Sequence, residues 1–295
     1  MSSSHKIQPK SRPFILTFTV IFSIYTLILG VIVYLSLITS FKGLIEFYVK
    51  PKFALPETPT IDNYMRAFTA FKVKLSGSLK EIYLPEMLFN SFIYAVGCAF
   101  VTVMVKAFVG YVVAKYNFKF NKFIYTTVII SMILPIIGAL PSEIQITKFL
   151  GLYNTRFGMV VMRASYLGMH FLILYSTFKG LSDEYIEAAE IDGAGQLHIL
   201  FKIVLPLIKT TLFALFIINF ISVWNEYQGP LVYMGNYPTA AVGLYMVIEK
   251  PSDSGSRGIP DHMAACMILF MPILILFIAF RNLFMGNLTV GGIKG

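Results

Sequence analysis

Cysteine is nearly absent: Cys98 and Cys266 are the only two in 295 residues. Both sit inside apolar runs, where cysteine is a small core residue, so a disulfide framework or a cysteine metal cluster does not organise this chain. Histidine is equally sparse, with His5, His170, His198 and His262 scattered along the sequence. No pair of acids accompanies a His or Cys cluster, and no Gly-x4-Gly-Lys-[Ser/Thr] phosphate loop occurs. The chain therefore reads as no enzyme, with no metal and no cofactor of its own. Charge is scarce too. Only 13% of residues are charged against 57% hydrophobic, with a mean hydropathy of +0.73, which excludes an ordinary soluble domain. The net charge of +9 comes from lysines flanking apolar runs. No clustered basic and aromatic patch is present, so nucleic acid is not a partner.

What the chain has is long apolar runs. Candidate membrane spans cover residues 14–38, 90–113, 123–141, 157–178, 205–225 and 263–281, each long enough for a hydrocarbon layer of ~30 Å. Spanning helices pack on one another, so the fold class is an all-α membrane protein with six helices in one bundle. The domain reading is a basic tail at 1–13 and a membrane domain at 14–295. The first run follows Lys6, Lys10 and Arg12 as a signal peptide would, yet it is too long and lacks a small-residue cleavage site. Six spans put both termini on one side. Basic residues are nearly balanced between the two faces, so density decides: Lys115, Lys119 and Lys122 crowd one short loop, and three more precede the first span. The termini are expected to be cytoplasmic in a multi-pass protein of the cell membrane.

The run from Glu187 to Pro206, EAAEIDGAGQLHILFKIVLP, is polar and acidic between two apolar spans. Ser182 is suited to cap a helix, Asp183 and Glu184 favour its first turn, and Glu187, Ala188 and Ala189 favour its continuation. A short helix is expected to start near residue 183 and to be broken at Gly193-Ala194-Gly195, where glycine takes left-handed angles and permits close approach. An ordinary solvated loop with two alanines would share part of this pattern.

Other polar positions interrupt the apolar background. Lys106 lies about nine residues, or ~13 Å, from Lys115 on a straight helix, which places a charge near mid-membrane, where it faces a cavity, meets a partner or snorkels. Trp224, Asn225 and Glu226 end the fifth span beside Gly229 and Pro230. They suit either a permeation path or an interfacial anchor. The segment 41–88 combines an amphipathic stretch, a Pro-rich strip and ThrIleAspAsnTyr at 60–64, and suits either a small cap or a tethering loop. The segment Gln228 to His262 is rich in Gly, Pro and Ser, a composition suited to docking a soluble partner.

The spacing of Glu187, Ala188, Ala189, Gly193, Ile203, Leu205 and Pro206 resembles the cytoplasmic signature loop of permease subunits of ATP-binding-cassette importers. AsnSer at 90–91, LeuGlyLeuTyrAsnThr at 150–155, TrpAsnGluTyr at 224–227, ProLeu at 230–231 and the final GlyGlyIleLysGly are similar to the smaller permease of maltose-type sugar importers. The resemblance implies a coupling helix between the fourth and fifth spans, within a loop of about 179–204, that seats in a separate ATPase. It also implies a tail, including Gly291, Gly292 and Lys294, that reaches the ATPase interface. The implied partners are a second permease, an ATPase dimer that binds ATP and Mg, an outer solute-binding protein and an oligosaccharide substrate. The chain departs from that pattern at ProSerGluIleGln 141–145, with Glu143 near the outer end, and at Lys106. Lys106, Glu143, Asn225 and Glu226 are the candidate path residues. The alternative function, a secondary transporter driven by an ion gradient, predicts mid-membrane acids or discontinuous helices in repeated halves.

Overall fold

The computed structural model describes residues 12–74, 81–134, 138–249 and 258–288. They form two compact units. One comprises residues up to Phe71 with Gly258 to Ile268; the other comprises Lys72 to Glu249 with Leu269 onward.

The first unit contains α1 (Arg12–Ser40), α2 (Leu44–Val49), α3 (Asp62–Thr69) and the start of α15 (Ile259–Leu288). The α1 helix is apolar all round and almost wholly exposed within the chain, the profile of a membrane span. Its end is tied to α3 by polar contacts. Asn63 Nδ2 donates to the Ser40 and Lys42 carbonyls at 2.7 and 2.9 Å, and Ser40 Oγ meets Tyr64 Oη at 2.7 Å. Buried Lys42 donates to the Pro51 and Lys52 carbonyls, and Arg66 pairs with Asp261 at 2.8 Å. The segment 41–71 thus carries two short helices with a specific polar core.

The second unit opens with an antiparallel ribbon of β1 (Lys72–Lys74) and β2 (Glu81–Tyr83), in which Val73 pairs with Ile82. This is a correction to the all-α expectation. Buried Val73 and Ile82 alternate with more exposed neighbours, the period-2 pattern of a strand. The central element is α4 (Leu84–Lys115), which packs against α7 (Arg156–Met162), α8 (Met169–Lys179) and α12 (Lys209–Asn225). Small buried residues on it, Ala95, Cys98, Ala99, Ala107 and Gly110, permit the close approach that membrane helices require. The remaining elements are α5 (Asn121–Ile133), α6 (Leu140–Phe149), α9 (Glu184–Ile191), α10 (Gln196–Ile199), α11 (Leu205–Leu207), α13 (Gln228–Tyr233) and α14 (Ala240–Glu249).

Among the described residues, three helices are long and apolar enough to cross a membrane: Pro13–Ser40, Leu84–Lys115 and Ile259–Arg281. A fourth span arises if Gln196–Leu207 and Lys209–Asn225, bent by 77°, count together. The bend follows a π-helical turn at Leu200–Val204 and the ring of Pro206, which cannot donate to the helix ladder. Besides the bent span at 205–225, two further expected spans are not single helices. At 123–141, α5 stops at Ile133 because Leu134 precedes Pro135 and is extended, with φ −82° and ψ 118°. At 157–178, α7 and α8 are separated by Arg163 to Gly168, where Gly168 takes φ +103°.

Candidate functional site

The signature loop is built around α9. Its Ala189 carbonyl accepts from Ala194 N–H at 2.9 Å and its Glu190 carbonyl from Gly193 N–H at 3.0 Å, while Gly193 adopts φ +78°. This pair of bonds is a Schellman cap, with Ala189 and Gly193 at the two positions that define it. The same geometry explains the Ala-x3-Gly spacing. Ala189 is buried against Tyr111, Phe178, Ile199 and Leu200, and Ala194 packs on the same cluster. Ser182 Oγ accepts from Glu184 N–H at 3.3 Å. Leu205 is buried, Ile203 half-buried and Pro206 exposed, while Glu187 and Ala188 face solvent.

The loop is held rigidly to the end of α4. Lys115 Nζ donates to the Leu181 carbonyl and to Asp183 Oδ1, both at 2.6 Å, and its side chain is only 5% exposed. Tyr116 Oη donates to Gln196 Oε1, and Gln196 Nε2 to Glu190 Oε1. Away from these anchors, Ile191 and Leu197 are 86% and 72% exposed, and Tyr185 is also exposed. Large apolar side chains are thus left bare on a loop secured to the end of α4. Lys115 was legible only as a membrane-flanking charge. Nothing in local sequence shows that it reaches a carbonyl 66 residues away.

A second polar region lies among α4, α7, α8 and α12. Arg163 Nη2 donates to Glu226 Oε2 and, at 3.0 Å, to Tyr94 Oη, which itself meets Glu226 Oε2 at 3.0 Å. A Cβ on Gly229 would lie 2.7 Å from Glu226 Oε1. Its absence leaves room for the carboxylate. His170 Nδ1 accepts from Asn219 Nδ2 at 2.8 Å. Lys106 is buried on α4 one turn beyond Thr102, whose hydroxyl donates to the Arg163 carbonyl at 3.4 Å, and α4 packs on α8, which carries His170.

Of the four candidate path residues, this region gathers Lys106 and Glu226. Asn225 is exposed and donates to the Ile221 carbonyl one turn back, at 2.9 Å. Glu143 lies elsewhere, accepting from Tyr233 Oη at 2.8 Å. Burial, and then this bond, push the Tyr233 hydroxyl up to about 12, so it remains a donor at neutral pH. Arg163, Tyr94, His170 and Asn219 were not singled out in the sequence, although an arginine in the apolar run 157–178 was a signal. Glu226→Ala leaves Arg163 without its carboxylate, and we expect a loss of about 1–3 kcal/mol in the purified protein. Thermal unfolding of Glu226→Ala against Glu226→Gln, which keeps an acceptor, checks this.

The remaining motifs are structural clamps. Asn90 Nδ2 donates to the Pro238 carbonyl at 3.1 Å and its Oδ1 accepts from Arg156 Nε, while Ser91 Oγ accepts from Ala240 N–H at 2.8 Å. In the 150–155 motif, Asn154 has φ +56°; its N–H donates to the Tyr233 carbonyl and its Oδ1 accepts from Asn236 N–H. Trp224 Nε1 donates to the Leu269 carbonyl at 3.1 Å, which makes it an internal anchor. A cavity of about 320 Å³ lies beside these clamps, lined by Val73, Tyr153, Asn154, Pro230 and Met246. Gly291, Gly292 and Lys294 lie outside the described residues.

These features define a multi-helix transport permease. Residues 106–289 match the family described as binding-protein-dependent transport system inner membrane component, and the chain belongs to it. It is an ABC-transporter permease and not an enzyme, and membership implies an ATPase and a binding protein as partners. It is 29% identical over 260 residues to the sulfoquinovosyl glycerol transport system permease protein of Agrobacterium fabrum, covering 88% of this chain and 87% of that protein. It is 26% identical to the diacetylchitobiose uptake system permease protein of Streptomyces coelicolor, covering 86% and 81%. Its fold is similar, at a TM-score of 0.70 and 19% identity, to a chain in the crystal structure of a bacterial ABC transporter involved in the import of the acidic polysaccharide alginate. That match covers 95% of this chain and 99% of the other. The ion-gradient alternative is displaced by the family match.

Proposed function

We propose that this chain is one of two permease halves of an ATP-driven saccharide importer, with six membrane passes, cytoplasmic termini and α9 as its coupling helix. The observation that carries the coupling assignment is the Schellman-capped α9, held to α4 through Lys115 and Tyr116, with Ile191 and Leu197 bare. Such a helix moves as a rigid lever with whatever it docks against. The names of the relatives support a saccharide or glycoside as cargo.

Mechanism follows from linkage. Closure of the ATPase dimer on ATP carries the coupling helix with it and shifts the bundle between inward- and outward-facing states. Moving such an equilibrium from 1:99 to 99:1 takes about 5.5 kcal/mol of differential binding. The polar region around Lys106 and Glu226 is assigned to the path, and the cap and outer segments to the binding protein and the second permease. Co-expression with candidate ATPase and permease subunits, followed by purification and measurement of ATP hydrolysis with loaded binding protein, tests the reading. Failure of any ATPase to copurify would overturn it.

The tail is assigned to the same interface. Deleting residues 291–295 is expected to reduce ATPase stimulation by roughly fivefold or more, within the usual range of coupling free energies, while membrane insertion is unchanged. Undiminished stimulation of the truncated complex would remove the tail from the coupling machinery.

A further inference from the structure

Lys106 is only 8% exposed, and among the described residues it makes no hydrogen bond or ion pair. The nearest carboxylate system does not serve it, because Glu226 is engaged by Arg163 and Tyr94. The region therefore holds two cations, Lys106 and Arg163, against one carboxylate. A buried charge in a membrane protein needs an opposite charge or a wet cavity.

Most of the hydrogen-bonding capacity left over in this region is donor capacity, with Glu226 Oε1 and Asn219 Oδ1 as the acceptors beside it. All three Lys106 N–H groups lack a partner, and Arg163 spends only Nη2. Because Asn219 Nδ2 donates to His170 Nδ1, the neutral imidazole carries its proton on Nε2, another donor. A donor-rich, net positive site fits an acceptor-only, negative ligand.

Its position is also that of a path. Cys98 and Thr102, one and two turns before Lys106 on the same face of α4, meet the Met159 and Arg163 carbonyls at 3.7 and 3.4 Å. Lys106 is the next residue on that face, beside the linker from Arg163 to Gly168. Irregular backbone at membrane depth persists where it is buried in protein or lines a water-filled cavity. We propose that Lys106, with Arg163 and His170, forms an anion site in the translocation path, and that the cargo is an acidic saccharide bearing a carboxylate, sulfonate or phosphate. This rests on the importer reading above.

The test uses the full complex with its binding protein in liposomes and a panel of matched probes, oligogalacturonates and neutral galacto-oligosaccharides of two to four units. The wild-type complex should import acidic members and exclude neutral ones. Lys106→Met should lower acidic import roughly tenfold or more, Lys106→Arg should retain it, and both complexes should assemble normally. Import of neutral members that Lys106→Met leaves unchanged would overturn the proposal while leaving the importer reading intact. Loss of the second permease from the purified Lys106→Met complex would also overturn it, assigning the counter-charge to that subunit. Import of no member of the panel would overturn the proposal together with the saccharide reading.

Discussion

Gly193→Arg is expected to abolish stimulation of ATP hydrolysis by loaded binding protein while the permease still inserts and assembles. Gly193 closes α9 at φ +78°, where a non-glycine L-residue costs roughly 1–2 kcal/mol. A Cβ there would meet nothing within 4 Å, so the chain itself accommodates the new atoms. The damage falls instead on whatever approaches the turn from outside, beside the exposed Ile191 and Leu197. Gly193→Asn separates the two effects, because asparagine tolerates left-handed angles and adds little bulk. The asparagine variant should keep most of its stimulated activity, whereas the arginine variant should lose at least ~90% of it, a coupling loss of ~1.4 kcal/mol or more. Wild-type stimulation in the arginine complex would remove α9 from the ATPase interface.

Gly158→Ala should be the most destabilising glycine-to-alanine change among the described residues. Its Cβ would sit 1.9 Å from the Leu152 carbonyl oxygen and 2.6 Å from the Leu152 carbonyl carbon, so no rotamer change relieves the overlap. The same turn carries the Thr155 cap, in which Thr155 Oγ1 accepts from Gly158 N–H at 2.9 Å and donates to Leu152 O at 2.8 Å. Relief requires the backbone to move, disturbing a cap worth ~1 kcal/mol and adding an overpacking cost of ~1–3 kcal/mol. Asn154 N–H and Oδ1, which hold the segment after α13, would shift with it. The expected result is a sharply lowered unfolding temperature and poor recovery of assembled complex in detergent. Thr155→Ala, which removes the cap without the clash, should lose only about 1 kcal/mol. Equal stability of Gly158→Ala and the parent would contradict the turn geometry.

Much was legible locally. The start of α9 and its end at Gly193 follow from capping and helix propensity, which act over a few residues. The spans at 14–38, 90–113 and 263–281 follow from uninterrupted apolar runs, because length and composition alone carry a helix across a bilayer. The breaks at Leu134 and near Pro206 were also written in the sequence, as proline positions, but were read through as continuous spans.

Composition and uninterrupted apolar runs determined by themselves that this is a polytopic membrane protein, and the spacing of one loop carried its resemblance to importer permeases, since these signals arise from bulk hydrophobicity and short-range backbone preferences. Tertiary structure alone decided which polar groups meet. Arg163 finds Glu226 63 residues away, Lys115 finds Asp183 68 residues away, and Lys106 is left with donors and no acceptor. Pairings of that kind depend on how helices rotate and pack, and the energy that selects them comes from keeping polar groups satisfied away from water. No local pattern in the sequence encodes it.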